Sequence, residues 1–306
     1  MRIVIDANIP LAREFFSTLG EVIAIPPRAI EREHLMNADA LVVRSVKKIT
    51  GAMLENTSVK FVGTCTAGYD HLDIHAIEAL KKTWCSAPGC NANAVVEYVF
   101  SAISALKTGW LSDTVGIVGC GHVGGLLYKR LRALGVSCRC YDPFLAPHTN
   151  PDLTELENIF SCDIICLHTP YTTGGPFPSH HLFNADSLAS IASKAVLINA
   201  GRGGVIDNMA LLNLLQQRQD LLCVLDVWEH EPKINATLLQ RVDIATPHIA
   251  GHSIDGKMLG TAMVYDSLCR FFDLPSTVTL AQLDKAAEPA DITIKTDSLE
   301  QHPFKL

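Results

Sequence analysis

Long hydrophobic runs are missing from this 306-residue chain: no stretch of 18 or more consecutive apolar residues occurs, which excludes an ordinary transmembrane helix. The N-terminus, MRIVIDANIP, lacks the apolar region and cleavage pattern of a signal peptide and reads as a strand entering a turn. No basic stripe or long Lys/Arg run appears, and the net charge of −7 argues against nucleic acid or an anionic membrane as partner. A small anionic substrate stays possible, because local cations can override the mean field. Cysteines in CxxC spacing are also absent. The ten that occur, from Cys65 to Cys269, lie mostly in apolar strand-like runs and read as buried thiols of a cytoplasmic protein.

What is present is ordinary globular material, 48% hydrophobic and 19% charged, in a chain too long for one typical core. Two domains are expected. Short apolar runs alternate with helical patterns. RIVID is followed by a helix over PLAREFFSTLG, with Pro10 suited to its first turn and Gly20 to its end. ALVVR, a helix near Ala52–Asn56, VKFVGT, a helix from Asp73 to Lys82 and a short strand at TWCSA come next. NANAVVEYVFSAISALKTGW has helical spacing and the length to bridge two lobes. A second series then runs through TVGIVG, SCRCYD, CDIICLHTP, KAVLINAGRGG, LLCVLDVWE and VDIATPH, with helices at His122–Leu134, Asn208–Arg218 (capped by Asp207) and Ile254–Phe272. Such alternation predicts an α/β protein of two lobes, each on a parallel sheet covered on both faces. No short-period repeat is visible. The stretch after about residue 275 is less regular.

GIVGCGHVG holds Gly119, Gly121 and Gly124 in G-x-G-x-x-G spacing, directly after the strand Val115–Val118 and at the start of a helix. That context gives the motif its meaning: one glycine for the turn, one for close approach of a pyrophosphate, one for helix–strand packing, with helix N-terminal amides on the phosphates. Asp142 ends the next strand, 142 − 121 = 21 residues past the middle glycine. An acid there suits the ribose hydroxyls of NAD and repels the 2′-phosphate of NADP, and no arginine follows it in DPFLAP. NAD is the cofactor expected.

Three later strand ends carry unusual polar residues: Arg202 in LINAGRGGVID, the acids Asp226, Glu229 and Glu231 in DVWEHEP, and His248 in ATPHIAGHS. Ligands of open α/β sheets bind outside the carboxyl ends of the strands, so these turns should converge on the nicotinamide. Hydride transfer from a 2-hydroxy acid needs a base for the hydroxyl proton and a clamp for the carboxylate. Histidine and arginine suit those two jobs, and an acid on the histidine's other nitrogen fixes its tautomer.

In these motifs the chain resembles the NAD-dependent D-isomer-specific 2-hydroxyacid dehydrogenases, whose pattern is an Arg in N-x-x-RG, a Glu in D-V-x-x-x-E-P and a His in T-P-H-I-A. Arg202, Glu231 and His248 match it, and the match extends over most of the chain. The resemblance implies a flavodoxin-like substrate lobe (1–90 plus 275–306), a Rossmann NAD-binding lobe with linking helices (91–274), and catalysis by Arg202, Glu231 and His248. The partner of Glu231 would then be His248, with His230 a spectator. It further implies substrate contacts from Ser45, Thr66 and His252, with His252 standing where these relatives usually carry tyrosine. His122, Val123, Thr169, Ala200, Gly201, Asp226 and Gly251 would line the NAD site beside the three glycines and Asp142. Segments such as IDANIPLAREFFSTLGEV and GGPFPSHHLF resemble a branch acting on a small phosphorylated 2-hydroxy acid, with Arg44, Lys47 and Lys48 as phosphate neighbours. The resemblance also implies a homodimer formed through a C-terminal domain, which this chain is expected largely to lack.

Three alternatives compete: a dehydrogenase for another 2-hydroxy acid such as phosphoglycerate, a non-catalytic NAD-sensing module, and a metal enzyme. The last rests on the i, i+4 spacing of His248 and His252, which here flank a loop without an attendant Glu, so no metal is expected.

Overall fold

A computed structural model describes residues 1–284 of the chain. Its first sheet contains β1 (Arg2–Asp6), β2 (Glu21–Ile25), β3 (Ala40–Val43), β4 (Phe61–Thr64) and β5 (Thr83–Cys85), all parallel, in the order β2-β1-β3-β4-β5. This is the flavodoxin-like order. The second sheet, also parallel, contains β6 (Thr114–Val118), β7 (Ser137–Tyr141), β8 (Ile164–Leu167), β9 (Val196–Asn199), β10 (Leu222–Leu225) and β11 (Ile244–Ala245) in the order β11-β10-β9-β8-β6-β7. A lone parallel bridge, Cys140–Leu153, lies beyond β7. It takes the place of the third strand in the doubly wound order, so the switch point falls between β6 and β8. Central strands such as β3, β8 and β9 are buried along their whole length, which is why they read as unbroken apolar runs. Among the described residues no helix is long and apolar enough to cross a membrane.

The sequence reading passed over β2. Its five residues EVIAI fall between Gly20 and Pro26, and the strand lies at the sheet edge, where only Ile25 is fully buried. The last strand is shorter than Val242–Ala245, holding only Ile244 and Ala245.

Two helices join the lobes. Ala92–Leu106 leads into the second, and Ile254–Phe271 leads back, its first turn capped by the Ser253 hydroxyl accepting from the Gly256 N–H. The returning helix, one of the expected linking helices, packs on the first lobe. Its Val264, Tyr265, Leu268 and Cys269 share a core with Ile3, Phe15, Phe16 and Phe61 of the first lobe. Burying each large apolar side chain contributes roughly 1.5–3 kcal/mol, enough to seat the helix there. Periodicity showed that one face is apolar, not which sheet it covers. Val278, Leu280 and Leu283 pack on the same core. The rest of the segment assigned to this lobe, 285–306, lies outside the described residues.

Candidate active site

The glycine loop closes the switch point. Gly119 follows β6 at φ 86°, and a Cβ there would stand 2.9 Å from the Thr169 amide nitrogen. A Cβ on Gly124 would come within 1.9 Å of the Gly119 carbonyl oxygen, whereas one on Gly121 would meet nothing within 4 Å. The turn, the tight packing and the open approach therefore fall on the three expected glycines. His122 and Val123 begin the helix His122–Ala133, which has no acid in its first turn, so its N–H groups are free for an anion. Val123 packs on the core, while His122 is exposed against Gly89. Asp142 braces the loop from the end of β7, accepting from the Cys120 N–H (2.9 Å) and the Phe144 N–H (3.1 Å).

The residues fit a dinucleotide on two counts. The middle glycine faces open space, and beside the loop the Thr169 hydroxyl and both ring nitrogens of His168 are buried without a protein partner. Burial pushes the His168 pKa down to about 4, so the ring is neutral. Polar groups of a ligand are what such orphans lack.

The turn after β9 is built on Asn199, fully buried. Its amide oxygen accepts from the Gly201 N–H (3.1 Å), its amide nitrogen donates to the Arg202 carbonyl (3.0 Å), and its own carbonyl accepts from the Asp226 N–H (3.0 Å). Ala200 and Gly201 thus pass close to Thr169, whose carbonyl oxygen lies 3.1 Å from where a Gly201 Cβ would be. Gly203 packs so tightly on the Trp228 backbone that a Cβ would sit 2.0 Å from it, which draws the Arg202 turn onto DVWEHEP. The Arg202 guanidinium donates from Nε (3.3 Å) and Nη2 (3.1 Å) to Asp70 of the first lobe. A cleft of about 270 Å³ opens there, lined by Asp70, Tyr171, Arg202, Trp228 and His230.

Asp226 organises the histidine loop. Its carbonyl accepts from the His248 N–H (2.7 Å), and its carboxylate accepts from the Ile249 N–H (2.7 Å), the Ala250 N–H (2.9 Å) and the Thr246 hydroxyl (2.6 Å). Because Thr246 spends its proton on that carboxylate, the Tyr98 hydroxyl 2.7 Å away must donate to it. Asp226 is 1% exposed, so its carboxylate serves the loop rather than an open cofactor surface. These bonds hold His248 at φ 57°, a left-handed conformation uncommon outside glycine.

His248 is thereby set 2.9 Å, Nδ1 to Oε2, from Glu231, seventeen residues away in sequence. The other carboxylate oxygen of Glu231 accepts from the Trp228 N–H at 2.7 Å. A carboxylate can only accept, so Nδ1 carries the proton and Nε2 is left to act as a base. The hydrogen bond to Glu231 raises the His248 pKa above the ordinary histidine value, against burial and the nearby charge of Arg202. Burial pushes the Glu231 carboxyl up, yet the bonds from His248 and Trp228 leave it below the usual range.

On the first lobe, Ser45 is exposed just past β3. Thr66 donates to the Gly68 carbonyl (2.7 Å) and accepts from Thr64. Thr66 and His252 line a smaller cavity of about 70 Å³ together with Arg44, Asn91, Gly251 and Lys257. Gly251 is thus beside the candidate substrate residues, packed on Asn91. Lys47 is paired with Glu31 at 2.8 Å, and Lys48 is exposed outside both cavities. His248 and His252 have different partners: one is on Glu231, the other accepts from Lys257.

Sequence reasoning missed Asn199, Asp70, Tyr98 and His181. Asn199 had a signal, a lone amide closing the apolar run VLIN. Asp70 and Tyr98 had none, since their partners are 132 and 148 residues away. His181 binds Glu229 (2.7 Å), with Asp207 on its other side at 3.7 Å. This trio brings ligand-type atoms within 4.8 Å of one another. Glu229 also accepts from the Asn208 N–H, and Asp207 caps the same helix, so the groups bind each other and that helix start.

Comparison with known proteins places this architecture. Residues 102–250 match the model of the D-isomer specific 2-hydroxyacid dehydrogenase NAD binding domain. The chain is 52% identical over 283 residues to an erythronate-4-phosphate dehydrogenase from Cellvibrio japonicus (strain Ueda107), covering 92% of this chain and 75% of that protein. It is 46% identical over 316 aligned residues to an enzyme of the same name from Teredinibacter turnerae (strain ATCC 39867 / T7901), covering 99% and 85%. The crystal structure of NAD+-bound 3-phosphoglycerate dehydrogenase from Entamoeba histolytica superposes with a TM-score of 0.77 at 26% identity, over 89% of this chain and 95% of that one.

Proposed function

The chain belongs to the erythronate-4-phosphate dehydrogenases, within the D-isomer specific 2-hydroxyacid dehydrogenase family, and on that premise we propose that it oxidises 4-phospho-D-erythronate to 2-oxo-3-hydroxy-4-phosphobutanoate with NAD, on the way to pyridoxal 5′-phosphate. The observation that carries the reading is the Glu231–His248 pair, held at 2.9 Å beside the Arg202 turn. NAD, when bound, would supply the hydride acceptor for C2. His248 takes the hydroxyl proton at Nε2, and the Glu231 carboxylate stabilises the imidazolium that results. Arg202, with Nε and Nη2 presented as a fork, binds the substrate carboxylate in place of Asp70. The phosphate loop, Thr169 and the turn Ala200–Arg202 would hold the dinucleotide, and Asp142 would meet its ribose and disfavour NADP.

The sequence resemblance implies a homodimer, and ten free thiols support a reducing, cytoplasmic setting. The test is NADH formation from 4-phospho-D-erythronate, 3-phosphoglycerate and D-lactate. The first should give a kcat/KM at least about tenfold above the others, because a remote phosphate supplies binding energy to the reacting centre. Equal rates, or no turnover, would remove the assignment.

A further inference from the structure

The resemblance already implies that His252 meets the substrate and Arg44 its phosphate; we propose that Lys257, on the wall of the same small cavity, binds the substrate's phosphate ester there and sets the preference for phosphorylated over unphosphorylated hydroxy acids. The inference rests on the dehydrogenase reading above and adds a residue to it. The cavity takes its walls from both ends of the chain: Arg44 from the end of β3, Lys257 from the first turns of the Ile254–Phe271 helix. Its volume of about 70 Å³ admits several water-sized groups, and so the oxygens of one phosphate.

Charge points the same way. No carboxylate lines this cavity, although the chain as a whole carries −7. Among the described residues neither Arg44 nor Lys257 has an acidic partner, and the Arg44 Nε is buried without any acceptor. Lys47, three residues on from Arg44, is by contrast neutralised by Glu31. Two cations facing one small cavity repel each other, and a bound dianion turns that cost into attraction. Cys65 and Cys90 line the wall as neutral thiols, their pKa values raised by burial.

His252 fits between them. Lysine has no acceptor, so the 2.7 Å contact has the Lys257 ammonium donating to Nε2 of His252. The imidazole is then neutral with its proton on Nδ1, a donor left for a ligand. Burial, then the charges of Lys257 and Arg44, keep its pKa low in the free protein.

The cavity also lies close along the chain to the residues of the reacting centre. Thr66 lines this cavity and Asp70, which holds Arg202, follows 70 − 66 = 4 residues later; His252 lies 252 − 248 = 4 residues past His248. Four residues reach at most about 14 Å, so the cavity and the reacting centre are near neighbours along both segments.

The experiment compares kcat/KM for 4-phospho-D-erythronate and D-erythronate in the unmutated protein, Lys257→Met, Lys257→Arg and Lys47→Met, and titrates inorganic phosphate as an inhibitor. Lys257→Met should lower kcat/KM for the phosphorylated substrate by 10- to 100-fold, the scale of a lost hydrogen bond to a charged group, and leave D-erythronate within about threefold. Lys257→Arg should restore most of the loss, and Lys47→Met should change neither. Inorganic phosphate should compete with the hydroxy acid and not with NAD, and Lys257→Met should weaken that inhibition. An equal fall for both substrates, or competition with NAD alone, overturns the proposal. If 4-phospho-D-erythronate is no substrate at all, the functional reading fails, and phosphate binding by calorimetry with and without Lys257→Met still decides the subsite.

Discussion

Two residues apart, Glu229 and Glu231 each hold a histidine, at 2.7 and 2.9 Å, yet the two pairs do different work. Glu229 spends its second oxygen on the Asn208 N–H, at the start of a helix, and its histidine is flanked by Asp207 and stacked on His180. Both partners are consumed in binding the 180–183 segment to that helix. Glu231 spends its second oxygen on the turn that forms it, and its histidine projects from a loop braced by Asp226, with the side chain 49% exposed. The same two side chains give a clasp in one place and, in the proposed reaction, the base in the other. What separates them is the surrounding layer, which in the first pair sets Asp207 3.7 Å from the remaining nitrogen and in the second leaves Nε2 open.

The comparison breaks most clearly at the histidines. Replacing His248 with Ala should lower kcat by 10²–10⁴-fold, the usual cost of losing a general base, with NAD affinity little changed. If steady-state kinetics show a loss below tenfold, His248 is not the base and the two pairs are alike after all.

A smaller effect should come from Glu231→Gln, which keeps the shape and removes the charge. Since His248 must be neutral to accept a proton, oxidation should rise with pH through its folded-state pKa, which Glu231 holds above the ordinary value of about 6.5. Removing the carboxylate charge lowers that pKa. The pH–kcat/KM profile should therefore shift its rising limb to lower pH while the plateau drops. A limb that stays in place would mean another group titrates there.

The smallest effects belong to the clasp and to the bystander. His181→Ala should cost about 1 kcal/mol of stability, a charge-assisted hydrogen bond discounted for partial exposure, with kcat within about threefold. His230→Ala, in an exposed position at φ 61°, should be silent in both. Thermal melts and rates on both variants check this. A collapse of turnover in His181→Ala with normal melting would move that residue into the chemistry.

Local patterns carried a good deal by themselves. The glycine spacing after an apolar strand specified the phosphate loop, because turn, approach and packing are demands on neighbouring backbone atoms. Alternating apolar runs specified two parallel sheets, because a strand buried on both faces must be apolar throughout. Resemblance added Glu231 with His248, although neither spacing nor composition distinguishes that pair from Glu229 with its neighbours. Tertiary structure alone decided the rest. It carried the Ile254–Phe271 helix back to the first lobe, since an apolar stripe does not name its partner surface. It set Asp226 facing inward as the anchor of residues 246–250, and it brought Asp70 to Arg202 and Arg44 to Lys257. Each of these joins residues far apart in the chain, and contacts of that kind depend on how elements pack in three dimensions, which no local period records.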